Sequence, residues 1–145
     1  MAMKAGAMLG NMREAWWMPV AEIPGDEAST GRQLVSTQRG LPHTIMVNSK
    51  GRRFTNEAAN YNAFGGLFHE IDVANFRYAN LPCWMIFDST YVRKYGFGGR
   101  RYSTPGDVAD WVQRAPDLPG LAKLLGIPTR SLANTVTRWN ANVAA

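Results

Sequence analysis

Glu57 and Tyr61 are the first pair to weigh as chemistry. They stand in GRRFTNEAANY (51–61), a carboxylate and a phenol four residues apart, just behind Arg52 and Arg53. On a helix, that spacing puts both on one face. A phenol ionises near ~10 when unperturbed, so it acts as a base only where cations or hydrogen-bond donors favour phenolate. Arg39, Arg52 and Arg53 are the candidates for that field. The spacing also describes a half-buried Tyr61 and a Glu57 paired with an arginine. On spacing alone that structural reading is favoured.

Other constellations are weaker. His43 and His69 are the only histidines and have no suitably spaced carboxylates, so no metal site is expected. The single Cys83 lies in an apolar run, where a core thiol is the default. GFGGRR (96–101) has Gly96 and Gly98 but Arg101 in the third glycine position, and it lacks a strand-to-helix setting. It reads as a loop, not a dinucleotide fingerprint. No nucleophile elbow, zincin helix or Walker sequence occurs.

The elements that must position these residues follow from pattern. TIMVN (44–48) is an apolar, β-branched run and predicts a buried strand. Ser49 to Gly51 make a tight turn, and Arg52 to Phe54 read as the returning strand of a hairpin. Asn56 is placed to cap a short helix from Glu57 onward, weakened later by Gly65 and Gly66. PCWMIFD (82–88) predicts a second strand, with Ser89 capping a helix through Lys94. Asp117, Pro119 and Gly126 bracket a helix. After Pro128, Leu132, Val136 and Trp139 recur at helical spacing. Residues 1–12 read as a helix without a cap, and residues 21–33 as a turn-rich loop. Both ends look unfinished, as in a piece of a longer chain.

The chain has 145 residues, 46% of them apolar and 19% charged, which suits one globular domain. No apolar run approaches the ~20 residues of a membrane helix, and no secretory h-region is present. A cytoplasmic location is the expectation. The net charge of +5 is scattered, with no run of five like charges. A phosphate-tracking surface needs clustered cations, so nucleic-acid binding is not expected.

One longer stretch carries a resemblance. RGLPHTIMVNSKGRRFTNEAANY (39–61) resembles the signature region of the flavoprotein family that contains succinate dehydrogenase, fumarate reductase and 3-ketosteroid dehydrogenases. The matching positions are Arg39-Gly40, Val47-Asn48, Gly51, Arg53-Phe54 and Asn56-Glu57. The flanks AGAMLGNMREAWWMP, LPCWMIFDSTYVRKYGF and LAKLLGIPTRSLANTVTRWNANV are similar to the ketosteroid-dehydrogenase-like branch. The resemblance implies an α+β fold, with a small, mostly antiparallel sheet and packed helices. Residues 1–19 would be a flanking segment from the flavin-domain side. Residues 20–145 would be the substrate-covering, or cap, domain with closing helices. The flavin-binding domain is expected to be absent.

The resemblance also implies roles. Fumarate reductases of the family have a proton-delivering arginine where this chain has Tyr61, and a Thr-Glu pair where it has Thr37-Gln38. Ketosteroid dehydrogenases have tyrosine at the first position, where it takes a proton from carbon next to a ketone while hydride goes to the flavin. Tyr61 is thus the expected base. Phe54, Asn56, Glu57 and Phe64 are the expected substrate contacts, although Glu57 and Asn56 could instead hold the hairpin together and the two phenylalanines could be core. FAD is the expected cofactor of a full-length parent, not bound by this fragment alone. Expected partners are a small hydrophobic ketone and the parent's flavin-binding domain. A reductase for another unsaturated substrate and a non-catalytic basic α+β module are the alternatives.

Overall fold

The computed structural model describes residues 2–12, 14–24, 31–98 and 100–144. Its strands are β1 (Val20–Glu22), β2 (Arg32–Leu34), β3 (Thr44–Asn48), β4 (Ile71–Asp72), β5 (Arg77–Tyr78) and β6 (Cys83–Phe87). Its α-helices are α1 (Ala63–Phe68), α2 (Ser89–Tyr95), α3 (Leu118–Leu125) and α4 (Thr129–Ala144). Among the described residues every strand pair is antiparallel: β1 with β2, β3 with β6, β4 with β5. The class is α+β, as three two-stranded ribbons and not one small sheet.

The two apolar runs of the sequence are the central ribbon. Their register pairs Ile45 with Ile86, Met46 with Met85 and Val47 with Trp84. Because side chains alternate across a strand, the ribbon sorts its residues onto two faces. Ile45, Val47, Trp84 and Ile86 meet Ala122, Ile127 and Leu132 of the α3–α4 hairpin. Met85 and Phe87 join the second core of Val35, Tyr91 and Phe97. A continuous apolar run is what burial on both faces requires.

The helical hairpin follows its punctuation. Asp117 accepts from the Gly120 amide at 2.7 Å and caps α3. Gly126 takes the left-handed φ of 67° that ends it. α4 then touches the turn after β3. Thr135 Oγ1 donates to the Gly51 carbonyl at 2.8 Å, and Ser131 Oγ to the Lys50 carbonyl at 2.6 Å.

Four local expectations fail, each for a visible reason. Residues 2–5 form only a 3-10 turn, and the backbone leaves it at Gly6 with φ 78°. The returning strand after Gly51 shrinks to a single bridge between Val47 and Arg53. Side chains occupy that edge instead: Asn48 Oδ1 takes the Lys50 and Arg52 amides, and Glu57 takes the Met46 amide. The cap of α2 is Asp88, whose carboxylate accepts from the Tyr91 amide at 2.9 Å, and Ser89 is already inside the helix. The 21–33 stretch opens and closes with β1 and β2, while residues 25–30 lie outside the described residues.

Candidate functional site

Tyr61 sits on a loop, so the helix expected from Glu57 onward is corrected to start only at Ala63. Two asparagines prevent it. Asn56 Oδ1 accepts from the Ala58 amide at 3.1 Å, and Asn60 Oδ1 from the Asn62 amide at 2.8 Å. These are Asx turns, in which side chains take amides a helix would use. Arg39 takes the carbonyls as well: Nη1 donates to Glu57 O at 2.6 Å and Nη2 to Ala59 O at 2.7 Å. Glu57 and Tyr61 therefore share no helical face.

Glu57 is buried, 5% exposed, and its carboxylate is fully engaged. Arg53 Nε donates to both oxygens at 2.9 Å, and Arg53 Nη2 donates to Oε2 at 2.5 Å. The Met46 amide donates to Oε1 at 2.8 Å. The Arg53 guanidinium in turn lies 3.9 Å above the Trp139 ring of α4. One carboxylate thus ties the site loop, β3 and the last helix together. An ion pair this sheltered survives only when its hydrogen bonds are satisfied, as they are here.

The residues expected to touch substrate divide. Glu57 and Phe64 belong to the frame: Phe64 is 1% exposed, beneath the Arg39 guanidinium at 4.2 Å and edge-on to Phe68. Within this chain neither presents a free face. Phe54 is half-buried against Phe68, and Asn56 is exposed with its carbonyl oxygen in the turn. Tyr61 is half-buried, and its ring is 6.1 Å from that of Trp16, itself 78% exposed. The Trp17 amide donates to Asn62 Oδ1 at 3.0 Å, which lays the 14–19 segment beside the loop.

The sequence named Arg39 as a source of field and as part of the Arg39-Gly40 match; its grip on two loop carbonyls left no local signal. It also gave no account of an apolar cavity of about 930 Å³ floored by β6 and walled by Phe68, Phe97, Trp111, Leu121 and Leu125. None of Phe54, Asn56, Glu57, Tyr61 or Phe64 lines it. Cys83 does, and burial pushes its thiol up to about 11, away from reactive thiolate. His43 contacts Asp88 at 3.2 Å, and His69 contacts the Gly65 carbonyl at 2.6 Å, so both histidines are engaged in framework.

A flavin nucleotide needs a glycine-rich turn between a strand and a helix N-terminus, beside a parallel sheet. Among the described residues no strand pair is parallel. Gly96 is committed to its own turn, because a Cβ there would clash with the Arg100 carbonyl, and no helix follows directly. The described residues do not make a nucleotide cradle.

Comparison with known proteins decides the family. The sequence pattern of the FAD binding domain family matches residues 1–145. The chain belongs to that family. It is 37% identical over 144 residues to the 4-oxocyclohexanecarboxylate 2-dehydrogenase of Sinomonas cyclohexanicum, covering 97% of this chain and 24% of that protein. It is 30% identical over 151 residues to the 3-oxosteroid 1-dehydrogenase of Mycolicibacterium smegmatis, covering 96% and 25%. Among solved structures, it superposes with a TM-score of 0.70 and 32% identity on the 3-ketosteroid delta1-dehydrogenase from Sterolibacterium denitrificans in complex with 1,4-androstadiene-3,17-dione, covering 94% of this chain and 24% of that one. The chain thus spans about a quarter of the length of each relative. These relatives are dehydrogenases, and the flavoprotein resemblance seen in the sequence stands. No described helix is long and apolar enough to cross a membrane.

Proposed function

We propose that this chain is the substrate-covering portion of an FAD-dependent dehydrogenase, and that Tyr61 removes a proton from carbon next to a ring ketone. The observation that carries the reading is the Tyr61 loop itself. Arg39 clamps it, Glu57 anchors it, and the phenol stays half-buried and not sealed in the core. A base must be held still and yet reachable.

The relatives' names support the substrate class. One names an oxocyclohexane carboxylate and the other a 3-oxosteroid. Their common element is a ketone on a six-membered ring, so ring ketones come before steroid size. Next to a carbonyl, a C–H is acidified, and removal of its proton leaves density that drives hydride from the neighbouring carbon to an acceptor. The family's flavin is such an acceptor. Tyrosine suits this task better than the arginine of a fumarate reductase, whose forked cation pairs with dicarboxylates. We read residues 1–19 as a flanking segment and residues 20–145 as the cap.

The test is Tyr61→Phe in the FAD-loaded full-length protein, assayed with ring ketones. The expected loss in kcat is about 10²–10⁴-fold, the span of general base catalysis, with flavin absorbance retained. Undiminished turnover would remove Tyr61 from the reaction.

A further inference from the structure

We propose that Arg39 is the positioning residue for Tyr61, acting through the main chain of the loop and not through its charge. This rests on the reading of Tyr61 as proton acceptor.

The geometry is specific. The planar guanidinium spans two carbonyls, Glu57 O and Ala59 O, two residues apart. In a helix, those carbonyls would accept from the amides of Tyr61 and Ala63. Arg39 occupies both, and the Ala63 amide goes to Asn60 O instead. The guanidinium also covers the Phe64 ring at 4.2 Å, so contacts from one side chain bracket Tyr61 before and after. Next in the chain, Gly40 is close to Ala58: a Cβ there would lie 3.5 Å from the Ala58 Cα.

Arg39 is itself anchored. It lies in the 3-10 turn Gln38–Gly40, and the buried Tyr91 donates its hydroxyl to the Gln38 carbonyl at 3.0 Å. The loop is therefore tied to the second core through one residue. Arg39 is 3% exposed, and among the described residues its Nε is the buried side-chain nitrogen with no partner. An unpaired buried donor is unfavourable. The side chain is aimed to span the two carbonyls even at that cost. Lysine carries the same charge but has no fork, so charge and fork are separable by substitution.

The experiment uses the FAD-loaded full-length flavoprotein that carries this chain. Arg39→Lys, Arg39→Gln, Tyr61→Phe and the Arg39→Lys/Tyr61→Phe double variant are compared. Flavin absorbance and amide-exchange protection of β3 report that each is folded. Arg39→Lys and Arg39→Gln are both expected to lower kcat by about 10–100-fold while KM moves less than about threefold. Adding Arg39→Lys to Tyr61→Phe is expected to cost nothing more, because a residue that acts only through Tyr61 has nothing left to position. Amide exchange across 57–61 should quicken at least about tenfold in both Arg39 variants, with β3 unchanged. Wild-type kcat in Arg39→Lys would overturn the proposal in favour of a field effect. A loss that multiplies with that of Tyr61→Phe, or unchanged exchange at 57–61, would also overturn it. Full turnover in Tyr61→Phe alone would instead strike the base assignment, and the exchange data would still report whether Arg39 holds the loop.

Discussion

Arg53 and Glu57 are bound side-on, with Arg53 Nε 2.9 Å from each carboxylate oxygen and Nη2 2.5 Å from Oε2. The same carboxylate takes the Met46 amide of β3. Glu57 is thus a structural latch beside the candidate base, its carboxylate taken up by Arg53 and the β3 backbone.

Truncating the latch should be costly. Glu57→Ala leaves the Arg53 cation and the Met46 amide without their acceptor in a sheltered place. Arg53 keeps some solvent, with its side chain 25% exposed, so the low end of the buried-pair range applies: about 3 kcal/mol. Urea unfolding followed by tryptophan fluorescence measures it. A loss below about 1 kcal/mol would mean that the latch is a surface-grade ion pair.

Gly51 should tolerate no side chain. Its φ is 67°, and an added Cβ would lie 3.1 Å from the Leu132 amide nitrogen at the start of α4. Gly51→Ala therefore meets both backbone strain and a neighbour that cannot give way. Gly126 has the same φ with open space around it. Gly126→Ala isolates the strain alone, about 1 kcal/mol, and Gly51→Ala should exceed it by at least about as much again. Equal losses at the two positions would show that the turn is not pressed against α4.

The contrast between these residues explains what the sequence could and could not reveal. β3, β6, α3 and α4 were legible because their signals are local: apolar runs, an aspartate cap, a glycine stop. The 56–62 loop was misread as helix because its fate is decided by competition. Asn56 and Asn60 bond their own backbone, and Arg39, 18 residues before Glu57, takes the carbonyls. No window centred on the loop contains Arg39. Glu57 was legible as an arginine partner but not as the acceptor for a strand amide, since nothing in the spacing says that β3's outer edge lacks a full returning strand.

Stability should fall at alkaline pH. Burial pushes the Cys83 thiol from 9.0 up to about 11. Burial first, and Tyr95 second, push the Tyr91 phenol from 10.0 up to about 12. Both groups stay protonated in the folded chain at a pH where the unfolded chain has released its protons. Their contribution is thus complete below pH 9.0 and is lost progressively as pH rises toward 12. The urea midpoint should be lower at about pH 10.5 than at about pH 8, and Cys83→Ser should flatten part of the slope. A midpoint that rises with pH would contradict the burial of both groups. The folded thiol should also react slowly with disulfide reagents at about pH 8 and rapidly once unfolded.

Binding of FAD tests where the nucleotide is held. The described residues supply no parallel strand pair, and Gly96 serves its own tight turn. Among the described residues the phosphates of the cofactor would find no helix N-terminus approached by a glycine-rich strand exit. The 145-residue chain by itself should therefore leave FAD free in titrations monitored by flavin fluorescence and absorbance. The 1–145 match to the FAD binding domain family makes this a sharp expectation, because the family is defined by the cofactor while the described residues make no strand–turn–helix cradle for it. Stoichiometric flavin in the purified chain would overturn it, and would require a nucleotide site built from ribbons and loops without the strand–turn–helix unit that ordinarily holds a pyrophosphate.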